Sequence, residues 1–121
     1  MMTFDEIKNI LSAIDNPVAR LEMVMDIGAN LPVVPADAVC SEIRGCTSRV
    51  EICRVGNNFY ARADSAIVRG IVAILISMVD GKTPDEIRKL DLSAMFSSLN
   101  LNLGAGRLNG VNSMILFLKN L

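Results

Sequence analysis

The stretch from Ser65 to Val79 is apolar nearly all round its helical projection, with Arg69 as its only charge. A helix with one apolar stripe can lie on a surface, but one that is apolar on every side must be covered on every side. The remaining segments therefore have to wrap this one, which predicts a buried central helix capped by Asp64 and ended by Gly81. Its longest charge-free part, Gly70 to Val79, is far short of the roughly 20 residues that cross a bilayer. The cover it needs is therefore protein, not lipid. A chain of 121 residues has room for one domain, read here as residues 1–121, and 51% apolar content excludes a disordered chain.

The flanking segments read as amphipathic cover. Thr3 and Glu6 form a capping box, and Ile7, Ile10, Leu11 and Ile14 then share one helical face. Asn16-Pro17 opens a second helix that carries Val18, Leu21, Val24 and Met25, with Gly28 as its expected stop. Pro32 and Pro35 keep the following connection extended. Arg49 to Cys53 alternates polar and apolar residues, Gly56-Asn57-Asn58 supplies a turn, and Phe59 to Ala63 returns as the second strand of a hairpin. Val39 to Arg44 adds a third strand, with Gly45 to Ser48 as the connecting turn. Beyond the central helix, Thr83-Pro84-Asp85-Glu86 is a second capping box, a brief helix is expected from Ser93 to Leu99, and a last helix carries Leu108, Val111, Ile115 and Leu118 on one face. The fold class is α+β, with one layer of helices against a small antiparallel three-stranded sheet.

Composition excludes several kinds of chemistry. The chain has no His, which removes imidazole acid–base catalysis, His-activated nucleophiles and His metal ligation. It has no Trp and only 4% aromatic residues, so stacking platforms for bases are not expected. Twelve basic residues against thirteen acidic ones give no electrostatic case for nucleic acid or an anionic membrane as partner. Asp5 and Glu6 stand where a secretory signal carries basic residues, so a cytoplasmic protein is expected.

Three cysteines remain. Cys40, Cys46 and Cys53 are spaced C-x5-C-x6-C, without the C-x-x-C pair of a zinc site, and their odd number argues against a disulfide framework in a reducing compartment. Neither a metal nor a cofactor is assigned. Cys40 and Cys53 read as structural thiols, since free Cys is commonly buried. Cys46 differs because it sits among small polar residues, Gly45-Cys46-Thr47-Ser48, at a turn between Arg44 and Arg49. Nearby cations favour the thiolate, although a loop thiol without function fits the same local chemistry. Arg44, Arg49, Arg54, Arg62 and Arg69 outnumber the acids of their segment and read as a solvated face able to steer an acidic partner. Gly104-Ala105-Gly106 before the last helix reads as a hinge or tight turn; it lacks the continuation of a P-loop.

Taken together, several segments resemble the SufE family, sulfur-acceptor proteins that serve cysteine desulfurases in iron–sulfur cluster assembly. Ile43-Arg44-Gly45-Cys46-Thr47-Ser48-Arg49-Val50 resembles the family's I-x-G-C-x-S-x-V loop. Asp64 to Gly70 is similar to its D-x-x-I-V-[KR]-G segment, Thr83-Pro84 with Ile87 to its T-P-x-x-I start, and Arg107 to Gly110 with Met114 to its R-x-N-G-x-x-x-M helix. Leu31-Pro32 after Gly28 also matches. The resemblance implies a SufE/IscU-like two-layer sandwich in which Cys46 is the persulfide acceptor. It places Gly45, Ser48, Arg49, Asp64 and Arg107 in supporting or partner-contact positions. The implied partners are a cysteine desulfurase and a downstream iron–sulfur scaffold protein. The protein would be a carrier and activator, not an enzyme. Glu51 stands where the family commonly has an aromatic residue, and Cys40 and Cys53 lie outside the family motif. Two other expectations compete with the carrier: a cluster scaffold using Cys40, Cys46 and Cys53 as ligands, and a regulatory module whose thiols are inert.

Overall fold

The computed structural model describes all residues, 1–121. The elements run α1 (Phe4–Ser12), α2 (Pro17–Ala29), β1 (Val39–Glu42), β2 (Val50–Val55), β3 (Asn58–Ala63), α3 (Ala66–Val79), α4 (Pro84–Arg88), α5 (Leu92–Ser97) and α6 (Ala105–Lys119). The class is α+β, as the patterning predicts: a three-stranded antiparallel sheet in the order β1-β2-β3, packed by helices.

Helix α3 is the centre of the molecule. Eleven of its fourteen residues are buried, and it packs against α1, α2, α5, α6 and β3. This is how a helix without a polar face is satisfied. Its cap is Ser65, whose hydroxyl accepts from the Val68 N–H; the expected Asp64 lies one residue outside and is exposed. At the other end, the Asp80 carboxylate accepts from the Phe59 N–H at 2.9 Å, and the Gly81 N–H donates to Asn57 O at 2.8 Å. Both bonds fix the β2–β3 hairpin to the end of α3. That hairpin turns through Gly56, whose φ of +59° suits glycine at the first central position of a two-residue loop.

Gly28 does not stop α2. The helix continues through Ala29 to the cap Asn30, and Gly28 is instead where α2 touches α3. A Cβ at Gly28 would lie 2.3 Å from Gly70 N, and a Cβ at Gly70 would lie 2.0 Å from Val24 O. The two backbones meet where neither residue has a side chain. The second short helix also differs from expectation: Asp91 caps it and it spans Leu92–Ser97, because the Asp91 carboxylate takes the Ala94 N–H before Ser93 can act.

The sheet register sets up the rest. Cys40 lies opposite Cys53 and Glu42 opposite Glu51 across β1 and β2; Glu51 lies opposite Arg62 and Cys53 opposite Tyr60 across β2 and β3. With a two-residue side-chain period, these residues share the face turned away from Ile52, Phe59 and Ala61, which join the core.

Candidate functional site

β1 and β2 are joined by residues 43–49, and Cys46 lies at the tip of this connection. The hairpin is closed at its root by Ile43 N–H donating to Val50 O at 2.9 Å, and Asp64 N–H donates to Arg49 O at 3.3 Å on the other side. Gly45 has a φ of +88°, which L side chains rarely adopt, and a Cβ there would meet Ser113 Oγ at 2.4 Å. The glycine thus lets the loop turn sharply and settle on α6. Cys46 then rests half-buried over Gly110, its thiol donating to Gly110 O at 3.7 Å. Ile43 beneath it is buried in the core, so the loop grows from a fixed base.

Burial pushes the Cys46 thiol above its ordinary pKa. The expectation that flanking arginines would favour the thiolate is therefore not met. Arg44 and Arg49 are exposed, and the Arg49 guanidinium turns to the Glu51 carboxylate at 3.4 Å, leaving desolvation to decide. At rest, then, Cys46 is a half-buried thiol whose neutral form is favoured by its burial. Gly110 is the residue that sequence reading left without a role: a Cβ there would touch Cys46 Sγ at 3.4 Å, an ordinary contact that any larger side chain would overrun. Gly110→Leu is expected to displace the thiol from α6. The pH midpoint of Cys46 alkylation by iodoacetamide should lie above that of free cysteine in the parent chain, because burial disfavours the charged form. In Gly110→Leu it should fall toward the free value, with a several-fold faster reaction at neutral pH.

The other expected site residues are distributed around this point. Gly45 and Cys46 sit against α6. Ser48 is half-buried in the loop, and Arg49 and Asp64 are joined through their backbones at its mouth. Arg107 is exposed in the first turns of α6, about one turn before Gly110. The arginine face is solvated at Arg44, Arg49, Arg62 and Arg69, whereas Arg54 is half-buried with its guanidinium 5.2 Å over the Phe59 ring. Gly104 is the left-handed cap of α6, φ +82°, so Gly104-Ala105-Gly106 is a turn into the helix.

Cys40 and Cys53 are not structural free thiols. They are bonded to each other across β1 and β2, with Cα atoms 4.0 Å apart. The linear spacing hides this pairing, since only the register of two antiparallel strands brings positions thirteen apart face to face. The Ile43–Val50 hydrogen bond sets the alternation that makes Cys40–Cys53 a non-hydrogen-bonded pair, where side chains approach closest. Cys46 is left as the one free cysteine, and the side-chain cluster around the pair is completed by Glu51 instead. The three thiols therefore do not form a common ligand set.

Fold and site together define a small α+β domain that displays one shielded thiol on a hairpin tip against its last helix. A family model described as "Fe-S metabolism associated domain", SufE, matches residues 5–121, and the chain belongs to the SufE family. An uncharacterised SufE-like protein of Rhizobium meliloti (strain 1021) is 32% identical over 127 residues, covering 95% of this chain and 91% of that protein. The sulfur acceptor protein CsdE of Escherichia coli (strain K12) is 30% identical over 122 residues, covering 93% and 83%. A solution structure of a hypothetical protein from Thermus thermophilus superimposes with a TM-score of 0.76 over 98% of this chain and 94% of that one; at 14% identity the likeness concerns the fold. No helix is long and apolar enough to cross a membrane.

Proposed function

We propose that this protein is a sulfur carrier of iron–sulfur metabolism that accepts persulfide sulfur on Cys46 from a cysteine desulfurase and stimulates that enzyme. The observation that carries the reading is the state of Cys46: the one free thiol, at a hairpin tip, half-buried against α6 with its Sγ donating to Gly110 O. Family membership and the likeness to a sulfur acceptor protein support it.

The step is a thiol–persulfide exchange. Cys46 loses its proton, and the thiolate attacks the terminal sulfur of the donor's persulfide. A new S–S bond forms on Cys46 as the donor's S–S bond breaks, and the donor cysteine leaves as a thiolate. No external oxidant or reductant enters, and no His is needed. Burial raises the pKa of the resting thiol, so release of the loop from α6 on the donor would expose Cys46 and favour its thiolate, while the resting contact limits access of oxidants. The carrier then presents the sulfur to a scaffold protein on which clusters are built, as a cytoplasmic protein without catalytic turnover of its own. Gly45, Ser48, Arg49, Asp64 and Arg107 surround the loop as supporting or partner-contact residues.

The test is intact-mass analysis after incubation with a cysteine desulfurase and free cysteine, followed by peptide mapping. One reducible sulfur atom added to Cys46, only when the desulfurase is present, is the expected result. No adduct with a desulfurase from the same cell overturns the carrier reading and leaves the regulatory module, whose stimulation of the enzyme would survive blocking Cys46.

A further inference from the structure

On the outer face of the sheet, away from Cys46, three ligand-bearing side chains converge. The Cys40 and Cys53 sulfurs and a Glu51 carboxylate oxygen all lie within 4.8 Å of one another. They come from two strands whose register is set by the sheet itself, with Cys53 buried, Glu51 half-buried and Cys40 exposed. Around them stand two guanidinium groups: Arg49 at 3.4 Å and Arg62 at 3.5 Å from the Glu51 carboxylate, with Arg62 Nη1 also 3.9 Å from Cys40 Sγ. Glu42 lies directly across from Glu51, and the two guanidinium groups offset this pair of like charges.

We propose that this cluster is a redox-controlled binding site for a thiophilic divalent cation of the zinc class. With the disulfide opened, two thiolates and one carboxylate offer three ligands on one rigid face, and solvent reaches the fourth position past the exposed Cys40. The donor set selects the metal: thiolates favour zinc over magnesium or calcium, which take oxygen ligands. Three anionic ligands and one dication leave a single negative charge, which Arg49 and Arg62 face. The missing C-x-x-C spacing is no objection, because the pair is made across strands.

The control is the bond itself. A dithiol reductant gives two electrons and two protons to the Cys40–Cys53 disulfide and leaves as its own disulfide, producing two thiols. The cation then displaces the two thiol protons on binding. A disulfide oxidant reverses the sequence: it takes two electrons from the thiolates and two protons from solvent, its own S–S bond breaks to give two thiols, the Cys40–Cys53 bond re-forms, and the cation is released. The site is thus open only in the dithiol state.

The experiment uses the full chain with Cys46→Ser, which removes the unrelated thiol, reduced with a dithiol, freed of reductant anaerobically and titrated with Co2+. One equivalent should bind with intense thiolate-to-metal absorption in the near ultraviolet and the visible bands of a four-coordinate ion, both abolished by added Zn2+. Re-forming the disulfide should expel the ion. Adding Cys40→Ser, at an exposed position, should remove the thiolate absorption, and Glu51→Gln should weaken binding at least about ten-fold. The proposal is overturned if the reduced, folded chain takes up no ion, if Cys40→Ser binds as its parent does, or if Glu51→Gln leaves the affinity unchanged. Should Cys40→Ser fail to fold by circular dichroism, the Glu51→Gln titration alone decides.

Discussion

Cys46→Ser is expected to abolish sulfur acceptance while leaving the fold intact. A serine hydroxyl is far too weak a nucleophile at neutral pH to replace a thiolate, so transfer from a desulfurase persulfide should fall by at least about a thousand-fold. The hydroxyl can still donate to Gly110 O, and the position is only half-buried, so the unfolding free energy should change by less than about 1 kcal/mol. Intact mass reads the first quantity and urea unfolding the second. A variant that still gains sulfur would show that another atom accepts it. A variant that gains none yet fully stimulates the desulfurase would separate activation from carriage.

Gly70→Ala is expected to destabilise the protein strongly. Its Cβ would lie 2.0 Å from Val24 O and 2.6 Å from Val24 C, both backbone atoms that no rotamer change can move aside. Helices α2 and α3 would have to part along a contact that buries Val24 and Ile27. Alanine's better helix propensity, about 1 kcal/mol, works the other way. The overpacking outweighs it, and a net loss of about 3 kcal/mol or more is expected, lowering Tm by roughly 10 °C or more. Gly106→Ala is the control, since nothing lies within 4 Å of its Cβ; that variant should be unchanged or slightly more stable. A Gly70→Ala protein melting with its parent would mean that α2 and α3 can slide apart freely.

The features legible in the sequence were those governed by neighbours along the chain. Capping boxes at Thr3 and Thr83, Asn16 before Pro17, and the apolar circumference of α3 each state a local requirement, and each is met where expected. The position of Cys46 on a turn was legible because small polar residues surround it. Features set by register or by contact between distant elements were not. Cys40–Cys53 needs the pairing of two strands, Gly28 needs to be seen against Gly70, and the raised pKa of Cys46 needs α6 lying over the loop. The two arginines beside Cys46 misled for the same reason: proximity in sequence said nothing of the Glu51 carboxylate that draws Arg49 away.

The register that bonds Cys40 to Cys53 also places Tyr60 directly beside Cys53, and Tyr60 is the chain's single tyrosine in the absence of any tryptophan. Disulfides quench the emission of an adjacent phenol ring, so the molecule carries its own optical gauge of whether that bond is open or closed. Tyr60 emission is expected to be low with the bond closed and to rise on reduction, so that its fluorescence would follow the outer face in solution without a label.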